Sequence, residues 1–75
     1  MPHINIKLYP GKTDEEKKML TQDIVKAVQA NLQSKEASIS VGFEEVSPEE
    51  WKEVVYEPEI LGKAESLFKK PGYEM

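Results

Sequence analysis

The stretch Met1-Pro2-His3-Ile4-Asn5-Ile6-Lys7-Leu8 decides how this chain folds. Ile4, Ile6 and Leu8 fall on one side of it, and His3, Asn5, Lys7 and Tyr9 on the other. Alternation of this kind is the period of a β-strand with one apolar face. Tyr9-Pro10-Gly11-Lys12 ends the strand in a turn, where proline and glycine break the extended run. Pro2 adds chemistry to this structural reading. Once Met1 is removed, the ring nitrogen of Pro2 is a free secondary amine, the one group here suited to act as a base near neutral pH. An α-amine titrates at roughly 7.7–8.0 when unperturbed, and a secondary amine higher. Burial against apolar side chains, or a nearby lysine, disfavours the charged form and lowers that value.

Outward from the strand, Thr13-Asp14-Glu15-Glu16 reads as a capping box, with Thr13 as N-cap, Glu16 reaching back, and early acids that suit the helix dipole. The helix runs to about Leu32. Its apolar stripe is Leu20, Ile24, Ala27, Val28 and Leu32, flanked by Met19; Lys17, Lys18, Gln22, Lys26 and Gln29 take the opposite face. After a polar exit loop, residues 38–46 alternate again, with Ile39, Val41 and Phe43 opposed by Ser38, Ser40, Gly42 and Glu44. Strand, long helix, strand is a βαβ unit, so the strands should lie parallel with a right-handed crossover. Ser47-Pro48-Glu49-Glu50 is a second helix start. It predicts a short helix through Trp51, Val54 and Val55, broken near Glu57-Pro58. A further helix over 59–69 should end at Lys69-Lys70 before Pro71-Gly72. The fold class is α/β (α+β): a βαβ unit with parallel strands, a long crossover helix and C-terminal helices. No repeat or linker interrupts residues 1–75, which read as one domain.

Composition narrows the function. Seventy-five residues build a small core, and cysteine is absent, so disulfides and thiolate zinc sites are excluded. His3 is the only histidine, and no cofactor or metal is expected. A net charge of −4 argues against nucleic acid as a partner. All ten basic residues are lysines, so no bidentate guanidinium is available for an anion. No apolar run reaches the ~18 residues of a membrane span, and no signal-peptide pattern opens the chain, so a soluble, cytoplasmic protein is expected. Two strands alone leave sheet edges open and are marginal in water. Pairing with a second copy would complete a four-stranded sheet, so a homo-oligomer, most simply a homodimer, is expected.

The same residues carry a resemblance. Pro2 opening a strand, the Pro10-Gly11-Lys12-Thr13-Asp14-Glu15-Glu16-Lys17 turn and helix start, Ser38-Ile39-Ser40-Val41 in the second strand and Trp51 beyond it resemble the 4-oxalocrotonate tautomerase family. The stretches Met1-Pro2-His3-Ile4, Ser38-Ile39-Ser40, Pro48-Glu49-Glu50-Trp51 and Lys69-Lys70-Pro71-Gly72-Tyr73 look most like its PptA-type, phenylpyruvate-type members. The resemblance implies a small βαβ protein whose amino-terminal proline is the catalytic base. Its substrate would be the enol of a 2-keto acid, such as a 2-hydroxy-alkenoate or an aryl enolpyruvate. The hexameric members hold a dicarboxylate with two arginines; Lys12 and Ser40 stand in those places here, so a dicarboxylate dienol fits poorly.

On this reading Pro2 is the catalytic residue, and Lys12, Ser40 and Trp51 are the substrate-binding candidates. Each also has a plainer reading: Lys12 as a solvated turn lysine, Ser40 as a sheet residue, Trp51 as core. Lys7 and His3 are weaker candidates on the solvated strand face, Phe43 reads as core, and the acidic pairs Glu15-Glu16 and Glu49-Glu50 serve the helix starts. Two other functions stay open at this point: a non-catalytic oligomerisation domain, and a hydratase or dehalogenase of the same superfamily.

Overall fold

The computed structural model describes residues 1–75. Strand β1 (His3–Leu8) leads through the Pro10-Gly11 turn, where Gly11 takes φ 125°, into helix α1 (Asp14–Leu32). Thr13 caps that helix as its sequence dictates: its hydroxyl accepts from the Glu16 N–H at 3.1 Å, and the Glu16 carboxylate accepts from the Thr13 N–H at 3.0 Å. Gln33, in the left-handed conformation, ends it. Strand β2 (Ser40–Glu45) lies parallel to β1 in the register His3 to Ser40 through Leu8 to Glu45. It starts two residues later than the alternation suggests, because Glu36–Ser38 form a single 3-10 turn tied by Ser38 N–H to the Lys35 carbonyl.

Register sorts the side chains. Ile4, Ile6, Leu8, Val41 and Phe43 share the face that α1 covers, while His3, Asn5, Lys7, Ser40 and Glu44 share the other. The half-buried line of α1 is Lys17, Thr21, Ile24, Val25 and Val28. It is thus rotated from the expected stripe: Leu20, Leu32 and Met19 are exposed, and Lys17, expected on the solvated face, pairs with Glu45 at 3.0 Å. An aliphatic stem lying on the sheet with its ammonium at the rim satisfies both solvent and strand end.

The C-terminal third departs most from expectation. Helix α2 (Pro48–Trp51) starts at Ser47 but does not break at Pro58; it widens into a π-helical segment, Lys52–Leu61, that contains this proline. In an α-helix the ring would clash with the carbonyl of the preceding turn. A wider turn relieves that clash and leaves the segment closing on a Gly62 N–H to Glu57 carbonyl bond of 2.9 Å. No helix spans 59–69: after Leu61 only a 3-10 turn at Ala64–Ser66 follows, Lys69-Lys70 end no helix, and Phe68 is fully exposed. No helix is long and apolar enough to cross a membrane.

The sheet has two strands and both outer edges are free. Val55 and Tyr56 are the only buried residues. A compact monomer of 8.6 kDa exposes roughly 4,700 Å², yet this chain exposes 5974 Å². The surplus, roughly 1,300 Å², exceeds the ~800 Å² that each partner buries in a standard protein interface. The radius of gyration, 14.0 Å, likewise exceeds the roughly 11 Å of a compact chain this long. An open two-stranded sheet with this much exposed surface fits oligomerisation.

Candidate active site

At the C-terminal end of β1 the turn, α2 and the chain's last residues enclose a cleft of about 540 Å³. Leu8, Tyr9, Pro10, Trp51, Tyr73 and Met75 line it, and Lys7 and Lys12 bring the charge. Its walls are aromatic for a structural reason. Trp51 is half-buried at the end of α2; its ring meets Tyr9 edge to face, with centroids 5.1 Å apart at 89°. Its indole N–H donates to the Tyr73 hydroxyl at 3.0 Å. Tyr73 in turn packs against Tyr56 in a tilted pair, with ring centroids 5.7 Å apart. All three tyrosines and the one tryptophan of the chain therefore form a single cluster. It anchors a tail that has no regular structure of its own.

The two lysines differ. Lys7 donates to Glu59 from the π-helical segment, and that hydrogen bond holds its ammonium pKa above the ordinary lysine value, with Glu44 adding to the effect. Lys12 takes part in no ion pair. Pro2 is not among the residues around the cleft. It lies at the far end of β1, five residues from Lys7, which is about 16 Å along an extended strand. Its carbonyl accepts from the Ser40 N–H at 3.2 Å, and Ser40 Oγ lies 2.6 Å from His3 Nδ1. Met1 beyond it stands entirely in solvent.

The comparison with known proteins shows the family. Residues 2–55 match the model of the tautomerase enzyme family. The chain belongs to the tautomerase family. Proteins described as Tautomerase PptA from Cronobacter sakazakii and from Escherichia coli (strain SE11) are each 42% identical to it over 76 residues, across all of both chains. It is therefore an enzyme of the isomerase class, and the fold expected from the βαβ pattern is the one observed.

Within this tautomerase, two of the four site candidates named from the sequence, Lys12 and Trp51, come together in the cleft, while Pro2 and Ser40 sit together at the opposite end of β1. One copy does not unite them. Sequence reasoning missed Tyr9, Tyr73 and Met75 as cleft residues. Tyr9 carried a usable signal, since it directly precedes the turn that places Lys12. Tyr73 and Met75 carried none, because no periodicity marks the tail.

Proposed function

We propose that this chain is a keto–enol tautomerase for 2-hydroxy-alkenoate or aryl enolpyruvate enols, with Pro2 as general base after Met1 is removed. It acts in the cytoplasm as a homodimer with one 1–75 domain per copy. The observation that carries the reading is the division of labour along β1: an apolar cleft with an unpaired cation at one end and the candidate base at the other.

Pairing two copies through the outer edge of β1 removes the distance. Ser40 N–H bonds the Pro2 carbonyl and Val46 N–H the Leu8 carbonyl, so even-numbered residues of β1 turn their peptide groups towards β2. Alternation then leaves the peptide groups of His3, Asn5 and Lys7 on the free edge. A two-fold axis on that edge makes the strands antiparallel. Centred on Asn5, it brings Pro2 of one copy beside the Leu8 end of the other, one strand spacing of ~4.8 Å away. Pairing through β2 would leave two further strands between them.

In the completed site the Pro2 amine takes the hydroxyl proton of the enol. The oxygen becomes the carbonyl of the 2-keto acid, and the adjacent carbon receives a proton as the C=C bond is lost. Lys12 holds the carboxylate, and its charge steadies negative charge developing on oxygen. The Trp51 ring, held edge to face by Tyr9, provides a flat surface that suits an aryl group and excludes water. Ser40, bonded to His3, supports the backbone behind Pro2. Mass spectrometry of the mature chain first tests whether Pro2 is the terminus; a retained Met1 predicts an inert protein. Ketonisation of enol phenylpyruvate is then compared with a Pro2→Ala variant, expected to be slower by about 10²–10⁴-fold. Equal rates would refute the assignment.

A further inference from the structure

Two lysines reach the cleft and only one is free to meet a ligand. Lys7 is engaged by Glu59, the pair being 23% and 34% exposed at the side chains. Glu44 contributes a second negative field at the same ammonium. Lys12 belongs to neither of the chain's ion pairs, Lys7–Glu59 and Lys17–Glu45. The acid four residues on, Glu16, has its Oε1 bonded by the N–H and hydroxyl of Thr13 at 3.0 and 3.2 Å, and it meets Lys12 only through the longer-range attraction of opposite charges, without an ion pair. The cleft thus presents one uncommitted cation against a wall of Leu8, Tyr9, Trp51 and Tyr73.

The geometry points to Glu59 as a specificity-determining residue: by holding Lys7 it leaves the cleft a single anion-binding cation, and so selects ligands with one carboxylate over ligands with two. The inference rests on the tautomerase reading and adds how that site chooses among acids. A second carboxylate arriving beside Lys7 meets Glu59 and Glu44. Either it stays unpaired, or it displaces Glu59 and leaves that partly covered charge without a partner. Both outcomes cost affinity. Selectivity then comes from a built-in repulsion rather than from a better fit to the right ligand. A tie that merely fastens the π-helical segment to the sheet behaves differently. It is lost equally when either partner is neutralised, whereas only removal of Glu59 uncovers a cation.

Trp51 is the sole tryptophan, so its fluorescence reports binding without turnover. The probes are 3-phenylpropionate, with one carboxylate, and phenylsuccinate, with two. Glu59→Gln is expected to raise the phenylsuccinate-to-phenylpropionate affinity ratio by roughly tenfold, the effect of one charge-assisted hydrogen bond. Glu59→Met repeats the test with an apolar side chain of similar length. The ratio does not rise in Lys7→Met or in the Lys7→Met/Glu59→Gln double variant. An unchanged ratio in both Glu59 variants, or an equal rise in the double variant, overturns the inference. Ketonisation of enol phenylpyruvate on the same samples reports separately on the tautomerase reading: an inactive wild type with a shifted ratio in Glu59→Gln contradicts that reading alone.

Discussion

Trp51 shows how one side chain serves both packing and a pocket. Its ring is held by Tyr9 at the edge and by the Tyr73 hydroxyl at the indole nitrogen, so its plane is fixed before any ligand arrives. Tyr73→Phe removes one hydrogen bond worth about 1 kcal/mol. The expected result is a rise in KM of roughly fivefold for an aryl enolpyruvate with little change in kcat, and a shifted emission from the only tryptophan. Lys12→Met tests the anchor: KM should rise by roughly tenfold or more as the carboxylate loses its cation. Lys12 and Trp51 were legible in the sequence because each sits at a fixed offset from a strong local signal, the Pro10-Gly11 turn and the Ser47-Pro48 helix start. Glu59 and Tyr73 were not. Their roles arise from contacts with Lys7, 52 positions away, and Trp51, 22 positions away, and no local pattern encodes such pairings.

The elements divide in the same way. β1, α1 and β2 were readable from alternation and a capping box, whereas the stripe of α1 gave the helix but not the face it buries. The capping box also carries a pH signature. Hydrogen bonds from the Thr13 backbone and hydroxyl hold the Glu16 carboxyl below the ordinary carboxylate range. A depressed folded value stabilises the helix above the unfolded pKa, and the contribution is lost as pH falls through the folded one. Thr13→Ala should cost about 1 kcal/mol at neutral pH. Its denaturant midpoint should fall somewhat less than that of wild type as pH drops into the acid range, because the hydroxyl's share of the effect is lost while the backbone N–H keeps its own. The helix around Pro58 was misread because sequence rules treat proline as a stop, and a wider turn offers an exit those rules omit. Gly62, just beyond it, is where that turn is tightest: a Cβ there would lie 2.5 Å from the Pro58 carbonyl oxygen. Gly62→Ala is expected to destabilise by roughly 1–3 kcal/mol, as overpacking does, read by chemical denaturation.

At the scale of the whole molecule, the exposed surplus, the two free sheet edges and the split of the candidate site all fit the proposed second copy on β1. Asn5→Pro addresses that edge, because it removes an outward N–H while the peptide groups facing β2 keep theirs. Sedimentation should show a monomer, circular dichroism a retained helix, and ketonisation should be lost. Openness of the sheet was legible in the sequence, from two strands and no more. Which residues the partner must supply became visible only when Lys12 and Pro2 appeared at opposite ends of one strand. Subunit complementation tests this account most directly. Pro2→Ala lacks the base and Lys12→Glu repels the carboxylate; unfolded and refolded together in equal amounts, they form mixed dimers with one intact site each. The account predicts that the mixture recovers roughly a quarter of wild-type ketonisation, the share of intact sites under random pairing. A mixture no more active than its two parents would contradict it.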